Sequence, residues 1–290
     1  LIFGMKILIP TFGSPAQIAA IIVTSVFLVI ASCGQGLTIL LGGIDLSIGV
    51  VMGIAGMMIA GLTNGSNDNL LWALPVVIVF CTGIGIINGL GIAFLNIPPL
   101  LMTLAMGTTF FGVALGATYG GLQKRVAPAL EGLMSGYLLG IPVPVFLLVI
   151  FVLLAIIGLN GTGVGRKFYA IGSNLEAGRI SGIPISGLTV IAYGLSSFCA
   201  CLAGLLLAGY SSSATLDMGD PYLLPTIAAV VIAGAKVTGG RGLYFGTFAG
   251  AMFLSTLSTI LTALSLTQGW KYIIEGGIIL AALIVTFFKK

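Results

Sequence analysis

Uninterrupted apolar runs of about 20 residues, the length that a helix needs to cross a bilayer, recur along the whole chain. Only 6% of the 290 residues are charged, whereas a soluble domain carries about 25% charged residues. Such a chain cannot cover a water-exposed surface, so it is predicted to lie in a membrane. A membrane β-barrel would alternate apolar and polar residues in segments of about ten. These runs do not alternate, which predicts an all-α bundle of membrane helices.

The apolar runs predict about ten membrane spans in a single transmembrane domain that covers residues 1–290. The chain begins at Leu1 inside an apolar run, so we interpret the first span, Leu1–Pro10, as truncated. The other spans are predicted at Ala16–Leu41, Leu46–Leu62, Leu70–Phe94, Leu100–Thr118, Ile141–Leu159, Ile185–Gly209, Tyr222–Ala235, Leu243–Leu264 and Trp270–Phe288.

A break separates a long span from the short one that follows it, and it contains Gly42, Gly43 and Asp45. This pattern predicts a broken or re-entrant segment near Gly42–Asp45. The Asp45 carboxylate could cap the free N–H groups of the next helix. It could instead contact substrate if the break lies at membrane depth, and the two roles are compatible. Ser47 would shape the same break, and Asn88 would either bond across helices or line a pathway.

A charged, polar stretch, Asn160–Pro184, lies between two apolar spans. Ser173 followed by Glu176 fits a capping box, which predicts a short helix that begins at this point. Gly182 fits a left-handed cap at its end, and Pro184 stops the helix. The pattern is typical either of a solvated loop helix or of a docking element for a cytosolic partner.

Several kinds of chemistry are missing from the sequence. It contains no histidine and no GxxxxGK[ST] phosphate-binding loop, so we expect no catalytic residues in this chain. All four cysteines lie in apolar runs, so we expect no metal site. Only Asp45 and Glu275 could serve a proton relay in the spans, which argues for an energy source on another subunit. A self-contained carrier or channel is the alternative.

Basic residues in short loops indicate the orientation, because they favour the cytoplasmic side. With Asn160–Pro184 inside, seven basic residues fall inside and four fall on or near the outside. The inside set is Arg166, Lys167, Arg179, Lys236, Arg241, Lys289 and Lys290, and the outside set is Lys6, Lys124, Arg125 and Lys271. The acids Asp68, Glu131, Asp217 and Asp220 also fall outside. The adjacent pair Lys124 and Arg125 would be either solvated or a docking site for an external protein.

Five sequence blocks together resemble the permeases of bacterial sugar-type ABC importers, the ribose permease family. Gly42–Gly49 reads GGIDLSIG and is similar to the signature of that family. Gly165–Asn174 resembles the segment before its coupling helix, and Glu176–Ile183 resembles the coupling helix itself. Ile227–Gly234 and Thr238–Gly242 match two further blocks. The resemblance covers the chain from about Ala16 to its end.

The resemblance implies the fold of type II ABC importer permeases in a bacterial inner membrane. It implies a second permease chain, identical or different, two cytosolic subunits that bind ATP and Mg²⁺, and a periplasmic or lipid-anchored sugar-binding protein. This chain would bind no cofactor and would catalyse no covalent change. The cargo would be ribose, another monosaccharide or a sugar-like signal such as autoinducer-2. ATPase coupling would involve Ser173, Asn174, Glu176, Arg179, Ser181 and Gly182.

Overall fold

The computed structural model describes residues 13–118, 124–236, 239–240, 242 and 244–288, and within these ranges the chain is mostly helical. The predicted first span and four of the basic residues, Lys6, Arg241, Lys289 and Lys290, lie outside them. The α-helices are α1 (Pro15–Leu40), α2 (Ile48–Thr63), α3 (Leu70–Leu95), α4 (Pro99–Ala117), α5 (Pro128–Ser135), α6 (Val143–Ile156), α7 (Gly163–Ser173), α8 (Leu175–Ile180), α9 (Ile185–Ser211), α10 (Asp220–Ile232), α11 (Tyr244–Ala263) and α12 (Gln268–Phe288). A π-helical turn, Ile157–Gly161, follows α6. The strands are β1 (Lys124–Arg125), β2 (Tyr137–Leu138), β3 (Ile141–Pro142) and β4 (Ser213–Ala214).

The helices confirm an all-α, multi-pass membrane protein. Six helices in the described ranges are long and apolar enough to cross a bilayer. They are Pro15–Leu40, Leu70–Leu95, Pro99–Ala117, Val143–Gly161, Ile185–Ser211 and Phe245–Ala263. Two more apolar helices, α2 and α10, are shorter. The total of about ten spans stays a prediction.

Contacts between loops define two ends of the bundle. At the first end, the Gly240 N–H donates a hydrogen bond of 3.0 Å to the Leu40 carbonyl. At the opposite end, the Ala129 N–H donates a bond of 2.8 Å to Asn67 Oδ1, and β1 pairs antiparallel with β4. We call the first the basic end, because α7, α8 and the residues after α10 bring basic side chains there: Arg166, Lys167, Arg179 and Lys236. We call the second the strand end.

The two short helices α2 and α10 begin inside the bundle. They have 16 and 13 residues, so they are about 24 Å and 20 Å long, less than the roughly 30 Å of a bilayer core. Helix α1 ends near the basic end, the chain turns back into the bundle, and α2 then runs to the strand end. Helix α9 ends at the strand end, the chain again turns inward, and α10 runs to the basic end. The two breaks therefore enter from opposite ends.

Helices α1–α4 and α9–α12 follow the same plan with inverted orientation. In both sets a long helix is followed by an inward segment, a short helix and two further helices. The two short helices meet where Gly49 lies against the backbone of Gly219, with its ideal Cβ position 3.1 Å from the Gly219 carbonyl oxygen. Helix α10 also packs closely against α11, where Gly246 and Gly250 lie against Ala233 and Ala229 at the end of α10. Small residues permit these close crossings in lipid, where the hydrophobic effect does not drive helix association.

Candidate functional site

The break between α1 and α2 places Asp45 in the interior of the bundle, where its exposure is 0%. Asp45 Oδ1 accepts a hydrogen bond of 2.9 Å from the Ser47 N–H and one of 2.5 Å from the Ser47 hydroxyl. Its Oδ2 accepts a bond of 2.7 Å from the Ser196 hydroxyl on α9. Ser196 lies 11 residues into α9, which is about 17 Å from the start of that helix at the basic end. The break therefore lies at membrane depth.

Three more polar side chains from surrounding helices hold the break in place. Gln35 of α1, with its amide oriented to match its neighbours, donates to the Asp45 carbonyl at 3.1 Å and accepts from the Asp45 N–H at 3.3 Å. The Thr103 hydroxyl of α4 accepts a bond of 3.0 Å from the Leu46 N–H. The Asn88 amide of α3 donates a bond of 3.1 Å to the Ser47 hydroxyl. Four helices thus supply hydrogen bonds to the backbone and side chains of the break, as irregular backbone inside a membrane protein requires.

Some polar atoms around the break have no hydrogen-bond partner among the described residues. They include the Tyr193 hydroxyl, the Ser197 hydroxyl and Asn88 Oδ1, all from buried residues. Tyr193 is close enough to Asp45 to interact with it electrostatically, and a Cβ on Gly43 would collide with the Tyr193 hydroxyl. An unpaired buried polar atom costs free energy, so each such group needs an explanation, for example a bound water or a ligand. The break combines a fixed carboxylate with spare hydrogen-bonding groups.

The structure brings together all five residues that the sequence placed at the break, Gly42, Gly43, Asp45, Ser47 and Asn88. Gly42 has a φ of 78°, which the absence of a side chain permits. Sequence reasoning missed four residues that contact the same segment: Gln35, Thr103, Tyr193 and Ser196. The available signal was the presence of isolated polar residues in apolar spans, which are functional candidates by default.

The short helix α8 lies at the basic end, but the sequence assigned its cap one residue too early. The cap is Asn174, whose Oδ1 accepts a bond of 2.9 Å from the Ala177 N–H. Ser173 is the last residue of α7, and its hydroxyl donates to the Ala170 carbonyl at 2.9 Å. The expected Ser173–Glu176 capping box is therefore wrong, because α7 extends through Ser173 and uses its hydroxyl.

The end of α8 has the predicted left-handed cap. Gly182 has a φ of 71°, and its N–H donates to the Arg179 carbonyl at 3.0 Å. The Ile183 N–H donates to the Gly178 carbonyl at 3.1 Å, which completes a Schellman motif. Ser181 is the C-cap residue, and α9 begins after Pro184. Only this rigid turn separates α8 from the helix that carries Ser196.

Helix α8 presents charged side chains outward. The Glu176 and Arg179 side chains are 70% and 74% exposed, and Glu176 Oε2 lies 3.8 Å from Arg179 Nη1. An exposed pair at this spacing contributes little to stability. Its charges are therefore available to a partner.

A cavity of about 400 Å³ connects α8 with the break at the basic end. Arg179, Asn96 and Thr189 lie along its wall, and Gly43 and Tyr193 of the break also line it. A small polar molecule in this cavity would therefore contact both α8 and the break.

At the strand end, β1 brings Lys124 and Arg125 against β4. Lys124 pairs with Ala214 and Arg125 pairs with Ser213, and Arg125 is exposed. The two-residue ladder ties the predicted docking loop to the chain segment that enters the bundle before α10.

Asp217 and Asp220 lie deeper than the sequence indicated. Both residues are exposed, yet Asp220 begins α10, whose 13 residues place it about 20 Å from the basic end. The neighbouring Gly219 packs against Gly49 at the first turn of α2. Two carboxylates therefore lie on an exposed face where the chain enters the bundle between β4 and α10. A charge at this depth requires water or a protein partner beside it.

Comparisons with known proteins agree with the motifs. Residues 17–283 match a family described as the permease component of branched-chain amino acid transport systems. The chain is 34% identical over 289 residues to the ribose import permease protein RbsC of Bacillus subtilis, across 98% of this chain and 89% of that protein. No solved structure gives a significant match.

Two other similar proteins have different named cargoes. The galactose/methyl galactoside import permease protein MglC of Salmonella typhimurium is 31% identical over 298 residues, across 97% of this chain and 89% of that protein. The autoinducer 2 import system permease protein LsrC of an Enterobacter species is 30% identical over 291 residues, across 98% and 83% of the two chains. The match to the family and the extent of these similarities together show that the chain belongs to this family of transport-system permeases and, as its motifs predict, to the ribose permease group within it.

Proposed function

We propose that the chain is the membrane-spanning subunit of an ATP-binding cassette importer for a monosaccharide or a sugar-like molecule. The observation that carries this proposal is the similarity, over nearly the whole chain, to permeases named for ribose, galactose and autoinducer-2 import. The arrangement at the basic end supports it. A doubly capped helix with exposed charges leads through a rigid turn into α9, and α9 is bonded to the interior break.

The proposed mechanism assigns a separate task to each end of the bundle. Two cytosolic ATPase subunits dock at the basic end and move α8. Because α9 follows α8 directly, the movement reaches Ser196 and, through it, the Asp45 break. A sugar-binding protein delivers the cargo at the strand end, where Lys124 and Arg125 lie. The basic end then faces the cytosol of a bacterial inner membrane.

The exposed acids Asp217 and Asp220, where the chain enters the bundle before α10, support a paired permease. Their exposed carboxylates are stable in a membrane if a second permease chain and a wet pathway lie beside them. Carboxylates accept strong hydrogen bonds from hydroxyl groups, which suits a path for a polyhydroxylated cargo. The pair of chains is either identical or different.

The proposal is tested by purifying the complex with its binding protein. Mass spectrometry of the ligand carried by the binding protein should identify a monosaccharide or a cyclic sugar-like signal. Adding the loaded binding protein to the complex in lipid nanodiscs should increase ATP hydrolysis, whereas the unloaded protein should have less effect. An amino acid as the ligand, or hydrolysis that never responds to the binding protein, would contradict the proposal.

A further inference from the structure

A second polar cavity, which we call the outer cavity, opens toward the strand end among α1, α9, α10, α11 and α12. Its volume is about 590 Å³, within the roughly 300–1,000 Å³ typical of small-molecule sites. The residues that line it include Tyr210, Tyr222, Ser255, Ser258, Thr259 and Glu275. No sequence motif singled out this set, because its members come from four helices.

Hydroxyl groups in the outer cavity have unused bonding capacity. Thr259 Oγ1 donates to the Ser255 carbonyl at 2.9 Å, as threonine commonly does in helices. Its oxygen can still accept a bond from another molecule. The hydroxyls of Ser255 and Ser258 have no bond to any residue that the structure describes, and Ser255 is only 8% exposed. Polar groups so deep in a bundle need water or a ligand.

The cavity also contains a carboxylate and a rigid aromatic wall. Glu275 is half-buried on α12 and faces this space. The ring of Phe27 lies 5.5 Å from that of Tyr210 and 6.3 Å from that of Tyr222, measured between centroids. This contact fixes the two tyrosines that line the cavity. A carboxylate, several hydroxyls and an aromatic wall together suit a neutral polyhydroxylated molecule.

We infer that the outer cavity is a monosaccharide-binding site within a single permease chain, at which sugar hydroxyls bond to Glu275, Ser255, Ser258 and Thr259. A metal cation fits the site less well, because cation sites hold several oxygens at about 2.3–2.6 Å and this cavity is much wider. The choice of a sugar as ligand rests on the proposed function. The cavity corresponds by inverted symmetry to the one beside Tyr193, so each repeat has a polar cavity at one end of the bundle.

The first test uses a matched pair of threonines on α11. Thr259 lines the outer cavity, whereas Thr256 does not, and both donate to the carbonyl four residues earlier. In vesicles containing the complete complex, Thr259→Val should reduce uptake of subsaturating ribose or galactose by about two- to tenfold, as expected for the loss of one hydrogen bond. Thr256→Val should transport like the wild type. Equal uptake by the two variants would show that the outer cavity is not a sugar-binding site.

A second test measures binding without transport. A Ser258→Cys variant of the permease in nanodiscs should react with a membrane-impermeant maleimide from the strand end. Ribose or galactose should slow this reaction, whereas betaine, an osmolyte without hydroxyl groups, should not. A Glu275→Gln change in the same variant should weaken the protection by sugar about tenfold, because a bond to a charged group is lost. Equal labelling rates in the presence of sugar and of betaine would show that sugar does not bind in the outer cavity.

The two proposals fail in different ways. If the wild-type complex shows no ATP-dependent sugar uptake, the proposed function is wrong, and the labelling result still decides whether the cavity binds sugar. If the wild type transports sugar while Thr259→Val transports normally and Ser258→Cys is not protected, only the cavity assignment is wrong.

Discussion

Asp45 carries a carboxylate into the interior of a membrane bundle, and both of its oxygens are bonded. One oxygen bonds to Ser47 at the start of α2, and the other bonds to Ser196 on α9. The residue therefore combines a bond at the start of a helix with a link between distant parts of the chain. This geometry favours a structural role for Asp45 in the break, while the neighbouring unpaired hydroxyl of Tyr193, which lines the cavity at the basic end, is better placed to bond a passing molecule.

Substitutions of Asp45 separate capping from contact with the cargo. Asp45→Asn keeps one oxygen for Ser47 and gains an amide that can donate to the Ser196 oxygen, so we expect a mild effect on stability and uptake. Asp45→Leu leaves the buried hydroxyls of Ser47 and Ser196 without their acceptor and should lower the free energy of unfolding by about 1–3 kcal/mol. Thermal unfolding in detergent and uptake in vesicles measure the two effects. A stable Asp45→Asn variant with uptake near zero would show that the charge handles the cargo.

Two adjacent serines on α9 provide a controlled comparison of bonded and unbonded hydroxyls. Ser196 and Ser197 both have 0% exposure, but only Ser196 bonds to Asp45, whereas the Ser197 hydroxyl has no partner in the described part of the chain. Ser196→Ala should cost about 1–3 kcal/mol, because it leaves a buried carboxyl oxygen of Asp45 without its bond, and Ser197→Ala should be nearly neutral. Denaturation midpoints of the two variants test this order. Equal midpoints would contradict the bonding pattern.

Residues of the break differ in how far the sequence could reveal them. Asp45 and Asn88 could be predicted, because a carboxylate next to two glycines and an amide in an apolar span are unusual. Ser196 could not be paired with Asp45, because 151 positions separate them and serine is common in membrane helices. The collision between a Cβ at Gly43 and Tyr193 likewise depends on the packing of α9 against the break.

At the scale of elements, the apolar runs predicted where the helices lie along the sequence, but they did not predict how deep in the bundle each helix begins. The short helices α2 and α10 were predicted close to their observed positions, since length and hydropathy are local properties. That both begin inside the bundle depends on the path of the chain after α1 and α9. The cap of α8 was placed one residue too early, because Ser173 and Asn174 are both good caps and only the length of α7 decides between them.

Helix α8 gives the element-scale prediction. Exchanging its charges, with Glu176→Arg and Arg179→Glu together, keeps an ion pair at the same spacing, so the fold and its stability should be retained. A docked ATPase would meet inverted charges, and we expect binding-protein-stimulated ATP hydrolysis and sugar uptake to become uncoupled. Gel filtration and thermal unfolding serve as folding controls. Normal coupling in the double variant would show that α8 is only a solvated loop helix.

At the scale of the whole molecule, two inverted repeats place polar cavities at opposite ends. One cavity adjoins α8 and the Asp45 break at the basic end, and the outer cavity adjoins the second break at the strand end. No single stretch of sequence shows this relation, because residues from several helices, far apart in the chain, line each cavity.

The basic pair at the strand end gives the prediction for the whole assembly. If a binding protein docks there through acidic residues, replacing Lys124 and Arg125 by Gln should slow its association at low salt. The difference should shrink as salt is added, because exposed charges act mainly on the encounter rate and are screened. Surface-binding kinetics at two salt concentrations measure this effect. Unchanged association at low salt would remove the pair from the docking surface.

The most direct test of the whole account is sugar uptake by vesicles that contain the permease with or without its ATPase subunit. With the binding protein and sugar outside and ATP inside, uptake should occur only when the ATPase subunit is present. It should stop when ATP is replaced by a non-hydrolysable analogue. Uptake by the permease without the ATPase subunit or without ATP would instead identify a self-contained carrier or channel and would contradict the account.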